Sequence, residues 1–166
     1  MIHDNVQQNE SASIEKTIRV GACGWDHTHW LGIFYPDDLP ADWRLSYYAN
    51  EFSTVLLEEA QWRSNLDKLD EWVDEVPEGF LFYLQSPLDK SPEIISIKQR
   101  LGSHFAGIVG ESSNSAMIEF SSKNLREWKE WLEQNAAQLD TIFLIDENLS
   151  AKQLSDFKSL VEMLNL

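Results

Sequence analysis

The sequence predicts an α/β protein with about five or six mostly parallel strands in a single domain. Short β-branched and apolar runs recur along the chain, and such runs are typical of strands buried on both faces. Between them lie segments with apolar residues at helical spacing, and this alternation indicates a parallel sheet. The chain has 166 residues, a usual length for one domain, so we place the domain at residues 17–166.

The predicted strands are short runs dominated by apolar residues, at 18–22, 53–57, 80–84, 105–109, 116–120 and 141–145. Helices are predicted where apolar residues repeat every three or four positions, at 42–50, 64–76, 92–101, 123–138 and 151–164. Asp42, Ser91 and Ser150 are predicted to cap the first, third and last of these helices. Side chains of this type accept hydrogen bonds from the free N–H groups at a helix start.

The link between the strands at 105–109 and 116–120 is too short for a parallel crossover. It has about six residues, whereas a crossover needs about a dozen or more. We therefore expect these two strands to pair as a hairpin, or one of them to lie outside the main sheet.

The charge of the chain excludes several classes of partner. Thirteen basic residues stand against twenty-eight acidic ones, a net charge of −15, and such a field repels nucleic acid and anionic lipid. The polar segment 1–16 has no apolar stretch like that of a signal peptide, and we expect it to be a disordered tail. The single cysteine, Cys23, rules out an intrachain disulfide. We predict a cytoplasmic protein that binds neither nucleic acid nor membranes.

Residues 21–36 are the most unusual stretch of the chain. They place three glycines, four aromatic residues and two histidines in one loop after the first predicted strand. A surface loop needs few aromatic residues, so this one must fold back onto the protein or bind something. Trp25, Trp30 and Tyr35 are therefore candidates for ligand binding, by stacking on a sugar or a base. The other interpretation is a hydrophobic lid over the sheet, which the large area buried by aromatic rings favours.

The same loop resembles the opening signature of domain of unknown function family 72. That signature reads Gly-x-x-Gly-Trp-x-x-x-x-Trp-x-Gly-x-Phe-Tyr-Pro, and its fixed positions here are Gly21, Gly24, Trp25, Trp30, Gly32, Phe34, Tyr35 and Pro36. The likeness covers roughly residues 18–87, with later matches at Leu39, Tyr48, Ala49, Phe52, Thr54, Val55, Trp72, Pro77, Gly79, Phe80, Phe82 and Pro87. The resemblance implies a barrel similar to that of triosephosphate isomerase, but it implies no activity.

Because a full barrel typically needs about 250 residues, the resemblance implies a short, divergent member with an abridged TIM-barrel-like fold. The family usually has Glu-Ile-Asn where this chain has 56–58 (Leu-Leu-Glu), a lysine at Gln85 and an arginine at Ser121. These positions belong at the carboxyl ends of strands, where barrel sites assemble. Their loss leads us to expect a degenerate member that acts by binding or interaction, as a homodimer through the truncated barrel edge or with a small molecule.

The alternative is an enzyme, hydrolase-like or small-molecule-binding, with an acidic and histidine site. Its candidate catalytic residues fall near the carboxyl ends of predicted strands and are His27, His29, Glu58, Glu119 and Asp146. Two carboxylates that meet at one face of a barrel can act as general acid and base if burial separates their pKa values. The competing interpretation is the solvated rim of a very acidic protein, and the abundance of acids favours it.

Cys23, His27 and His29 are weak candidates for metal ligands, because His-x-His with a nearby thiolate suits zinc. Their spacing matches no strong zinc motif, and a cysteine flanked by small residues at a strand end is more often simply buried. The chain also lacks a glycine-rich phosphate loop with its lysine. We predict no metal and no cofactor.

Overall fold

A computed structural model describes residues 17–85, 92–109 and 114–166. The predicted disordered tail at residues 1–16 lies outside the described residues, and so do Pro87 and the predicted helix cap Ser91. Within the described ranges, no helix is long and apolar enough to cross a membrane.

Six parallel strands form one sheet, in the order β4-β3-β2-β1-β6-β5. The strands are β1 (Arg19–Cys23), β2 (Thr54–Leu57), β3 (Leu81–Gln85), β4 (Phe105–Val109), β5 (Ser115–Ile118) and β6 (Thr141–Leu144). The sheet curls into a half-barrel, which confirms the predicted abridged TIM-barrel-like fold and its parallel strands.

The expectation for β4 and β5 was wrong. Both strands belong to the main sheet, and they lie at its opposite edges instead of forming a hairpin. Val109 and Ser115 are six positions apart, and six residues span about 20 Å at most. A flat sheet of this size would separate its edges by about 24 Å. The short link therefore requires the sheet to curl, because only curling brings the two edges within its reach.

Contacts across the concave side of the sheet show the same curling. The hydroxyl groups of Tyr83 on β3 and Thr141 on β6 form a buried hydrogen bond of 2.9 Å. The rings of Tyr83 and Phe143 lie 5.2 Å apart. Two strands separate β3 from β6 in the sheet, a spacing of about 14 Å along a flat surface. Together with Leu56 and Val109, Tyr83 and Phe143 form a small buried cluster that fills the interior.

Within the described ranges, six α-helices accompany the sheet: α1 (Arg44–Glu51), α2 (Glu59–Ser64), α3 (Leu69–Glu75), α4 (Pro92–Leu101), α5 (Leu125–Asn135) and α6 (Ala151–Met163). Their apolar faces and the outward side chains of the strands form the larger core cluster. Five of the seven tryptophans are buried. The sheet thus has a thick aromatic core outside and a thin apolar filling inside.

Two helix predictions needed correction. The helix predicted at 64–76 is replaced by α2 and α3, separated by Asn65 and a 3₁₀ turn at Leu66–Lys68. The Asn65 side chain donates to the carbonyl of Gln61 at 2.7 Å, a local bond of the kind that competes with helix continuation. Asp42 does not cap α1, which follows a 3₁₀ turn at Ala41–Trp43. Ser150 caps α6 in a capping box with Gln153, as predicted.

Candidate functional site

The carboxyl ends of β1 and β2 bring a thiol and a carboxylate together. The Sγ atom of Cys23 donates to Oε1 of Glu58 at 3.0 Å. Burial raises the pKa of the Cys23 thiol far above its usual range, and the hydrogen bond and negative charge of Glu58 raise it further. The thiol therefore stays protonated at neutral pH, and a protonated thiol is neither a good nucleophile nor a good metal ligand.

The two histidines of the loop bond to backbone carbonyls. His27 Nε2 lies 3.0 Å from the carbonyl of Cys23 and 3.2 Å from that of Gly24. His29 Nε2 lies 2.6 Å from the carbonyl of Leu149, at the far end of the chain. Because carbonyl oxygens only accept, each Nε2 carries its proton. Burial, with a smaller contribution from the neighbouring His29, lowers the pKa of His27.

The aromatic residues of the loop pack against the body of the protein. Trp30 is 1% exposed, and its Nε1 donates to the carbonyl of Leu149 at 2.8 Å. Its indole stacks parallel to the ring of Tyr48 on α1, at 6.4 Å between centroids. Tyr35 is also buried and donates to the carbonyl of Trp25 at 2.5 Å. These contacts favour the lid interpretation, while a ligand-binding role of Trp25, Trp30 and Tyr35 stays a prediction.

Asp146 fastens the end of β6 to the segment that follows β5. Its two carboxylate oxygens accept from the backbone N–H groups of Phe120 at 2.6 Å and Ser121 at 3.0 Å. Partial burial disfavours the carboxylate, but these hydrogen bonds outweigh burial and lower the pKa of Asp146. Glu119 is exposed, and the described part of the chain contains no hydrogen bond or ion pair that joins it to His27 or His29. A catalytic role of His27, His29, Glu58, Glu119 and Asp146 therefore stays a prediction.

The three weak candidates for metal ligands, Cys23, His27 and His29, bond to other groups of the fold. Among the described residues, no three His, Cys, Asp or Glu side chains lie close enough to hold a metal ion. The rings of His27 and His29 are 5.5 Å apart, but both Nε2 atoms face backbone carbonyls and the Cys23 thiol faces Glu58.

Comparison with known proteins identifies the family to which the chain belongs. Residues 19–166 match the model of a family described as protein of unknown function DUF72. The chain belongs to the DUF72 family. Among solved structures, it is similar to a DUF72 family protein of Thermotoga maritima, with 20% identity and a TM-score of 0.42. The likeness covers 78% of this chain and 55% of that one, so the chain spans about half the length of that protein. No curated protein matches the chain.

One departure from the DUF72 pattern has a visible structural consequence. Leu56 takes the place where the resemblance leads us to expect a carboxylate, and its side chain is fully buried inside the curled sheet. It packs there with Tyr83, Val109 and Phe143. A leucine at this position lets the interior close without the cost of burying a charge. Leu56 is therefore part of the apolar packing inside the sheet.

Sequence reasoning missed two groups of residues that the fold brings together. Tyr48 lies fully buried on α1, where its hydroxyl donates to the carbonyl of Thr54 at 2.7 Å and accepts from the N–H of Ala22 at 2.9 Å. The helical spacing of the apolar residues predicted that Tyr48 faces inward, but it did not identify the hydrogen-bond partners of its hydroxyl. Arg19 and Lys158 both line two clefts at the amino ends of the strands, and their distance in the sequence gave no sign of this.

Proposed function

We propose that this DUF72 member acts in the cytoplasm by binding or interaction, without catalysis at the carboxyl ends of its strands. One observation carries the proposal: most of the polar groups predicted there, although not the exposed Glu119, already form bonds within the fold. Cys23 donates to Glu58, His29 donates to the Leu149 carbonyl, and Asp146 accepts from two backbone N–H groups. A catalytic group must reach its substrate, and these groups would have to abandon structural contacts to do so.

The partner in this proposal is a second copy of the chain, bound through the edge strand β5. Neither edge strand contains a charged residue or a proline, the usual devices that protect a sheet edge from pairing. At the other edge, β4 shows an irregular register against β3, and such irregularity does protect an edge. Strand β5 pairs in regular register with β6. It therefore offers the better surface for another strand.

Met117 is the centre of the proposed interface. It lies beside Phe143 in the register of β5 and β6, so it shares the concave face with the interior cluster. Met117 is 37% exposed although it lies on the same face of the sheet as Phe143. Covering Met117 with a second copy would remove apolar surface from water, which favours association.

The oligomeric state tests this proposal, measured by light scattering on a sizing column at concentrations from about 1 to 100 µM. We expect a dimer for the natural sequence and a monomer for Met117→Glu, because a carboxylate at the interface would lose its hydration. Leu125→Glu is the matched control, since Leu125 is 69% exposed on α5 and the charge change is the same. A monomer throughout this range, or an equal effect of both substitutions, would refute the homodimer.

The alternative of a hydrolase-like site stays a prediction. Its support is the exposed carboxylate of Glu58, held 3.0 Å from the Cys23 thiol at a strand end. Hydrolysis of chromogenic ester, phosphate and glycoside substrates by the natural sequence, and its loss in Glu58→Gln, would favour the enzyme over the binding protein. The control is Glu133→Gln, which removes an exposed carboxylate on α5 whose ion-pair partner is Lys129.

A further inference from the structure

Two clefts meet at the amino ends of the strands, opposite the predicted site. The first has a volume of about 570 Å³ and lies between the start of β1 and the end of α6. The second, of about 290 Å³, lies between the turn after α1 and the turn before β3. Arg19, Ser53 and Lys158 line both clefts. The junction of the clefts therefore carries two cations in a strongly acidic protein.

Arg19 is held in a fixed orientation by backbone carbonyls. Its Nη1 donates to the carbonyl of Ser53 at 3.3 Å and to that of Gly79 at 3.1 Å. An arginine has five N–H donors, so those on Nε and Nη2 remain for another acceptor. No carboxylate in the described part of the chain forms an ion pair with Arg19. The guanidinium thus presents an uncompensated charge and a preorganised pair of donor nitrogens.

Lys158 places a second cation at the same junction. Its Nζ donates to the carbonyl of Glu51 at 2.6 Å and lies 5.6 Å from the ring centroid of Phe52. Glu162 is its ion-pair partner at 3.9 Å, and that carboxylate is mostly exposed. A lysine has three donors, so Lys158 also retains capacity for a ligand oxygen.

The surroundings decide which cleft an anion would enter. Glu51 and Glu78 line the smaller cleft, and their negative charges disfavour an anion there. Glu162 is the one acidic side chain that lines the larger cleft, and the apolar side chains of Ile18, Val20, Val161 and Leu166 form part of its walls. Cations at one end and apolar walls along the cleft match a molecule with an anionic head and an apolar body.

We propose that the larger amino-end cleft binds a small organic anion, with a carboxylate or phosphate head at Arg19 and Lys158 and an apolar body against Val161. A guanidinium suits either head, because its planar N–H groups can donate to two oxygens at once. This site lies at the start of β1 and the end of α6, two strands away from the edge strand β5, and it stands whether or not the chain forms a dimer.

The experiment uses four six-carbon probes with the full chain: hexanoate, hexyl phosphate, 1-hexanol and hexylamine. Binding is measured by titration calorimetry and located by amide chemical shifts. We expect hexanoate or hexyl phosphate to bind and to shift the amides of Arg19, Ser53 and Val161, with the alcohol and the amine at least about tenfold weaker. The relative affinity of the two anions tells which head group the site prefers.

Three glutamine substitutions separate a local effect from a change in net charge. We expect Arg19→Gln and Lys158→Gln each to weaken anion binding about tenfold, since each removes a charged donor. Arg63→Gln, which removes an exposed arginine paired with Glu59 and Glu93, should change it less than about twofold. If Arg19→Gln fails to fold, the affinity of Lys158→Gln for the anions and the positions of the shifted amides test the proposal instead.

Several results would overturn the proposal. One is the absence of detectable binding by hexanoate and by hexyl phosphate at concentrations up to about 10 mM. Equal affinity for hexanoate and 1-hexanol would show an apolar cleft without anion recognition. Equal weakening by Arg63→Gln and Lys158→Gln would show a response to net charge alone, and shifts confined to the carboxyl end would place the anion elsewhere.

Discussion

The two ends of the half-barrel use their polar side chains in opposite ways. At the carboxyl end, Cys23, His29 and Asp146 are bonded to groups of the fold itself. At the amino end, Arg19 and Lys158 bond to backbone carbonyls with part of their donors and face two clefts with the rest. A strand end rich in polar residues is therefore not by itself a functional site. What matters is whether those residues retain unused hydrogen-bonding capacity next to space.

The strongest test of the carboxyl end is Trp30→Ala. We expect a loss of about 3–5 kcal/mol in the free energy of unfolding, because a buried indole leaves a cavity and the Leu149 carbonyl loses a donor. Urea denaturation followed by circular dichroism measures it. Trp43→Ala is the matched control, since Trp43 is 64% exposed and should cost less than about 0.5 kcal/mol. An unchanged midpoint for Trp30→Ala would mean that the loop does not seal this end.

Tyr48→Phe tests the link between the lid and the sheet. We expect a loss of about 1–3 kcal/mol, because the buried N–H of Ala22 and carbonyl of Thr54 would lose a shared partner. The same denaturation measurement applies. Tyr47→Phe serves as control: Tyr47 is half-buried beside Phe34, and its hydroxyl forms no hydrogen bond with the described residues. Equal losses in the free energy of unfolding for the two substitutions would show that the hydrogen bonds of the Tyr48 hydroxyl do not stabilise the fold.

The stability of the fold should decrease on both sides of neutral pH. On the acid side, the pKa of His27 is lowered by burial below its ordinary 6.5, so the folded state binds fewer protons than the unfolded state. Stability from this group is therefore complete above about pH 6.5 and declines as the pH falls through the folded pKa. His27→Gln should flatten the dependence between about pH 7 and 5. The same slope in both proteins would contradict this assignment.

On the alkaline side, burial raises the pKa values of Cys23, Tyr35 and Tyr48 above their ordinary values of 9.0, 10.0 and 10.0. Their stabilising effect is complete below those values and is lost as the pH rises through the raised pKa values. Thermal melts from about pH 8 to 11 should show a falling midpoint. Tyr48→Phe should reduce the fall, and a flat profile would argue against burial of these groups.

The smallest effect is expected at the amino end. Lys158→Gln should change the free energy of unfolding by less than about 1 kcal/mol, since its ion pair with Glu162 is long and largely exposed. Urea denaturation beside Lys152→Gln, an exposed lysine on the same helix, measures it. A loss as large as that of Tyr48→Phe would make Lys158 a structural residue and remove the contrast between the two ends.

Much of the fold could be predicted, because strands and helices leave local patterns. The apolar run at 141–145 becomes β6 (Thr141–Leu144), and the Ser150 capping box starts α6 where the sequence placed it. The break at Asn65 was missed, since a side-chain bond to the Gln61 carbonyl leaves no periodic signal. For the candidate site, the sequence placed His27, Glu58 and Asp146 at strand ends, but it could not tell that each had a partner within the fold.

The sequence by itself determined the alternation of strands and helices, the aromatic loop and the family, because neighbouring residues carry those signals. Only the tertiary structure decided that β4 and β5 lie at opposite edges, that Tyr83 meets Thr141 across the interior, and that Arg19 and Lys158 line the same clefts. The contact between Tyr83 and Thr141 depends on how far the sheet curls. Curling is the summed result of many strand twists and contacts between distant residues, so no single segment of the chain encodes it.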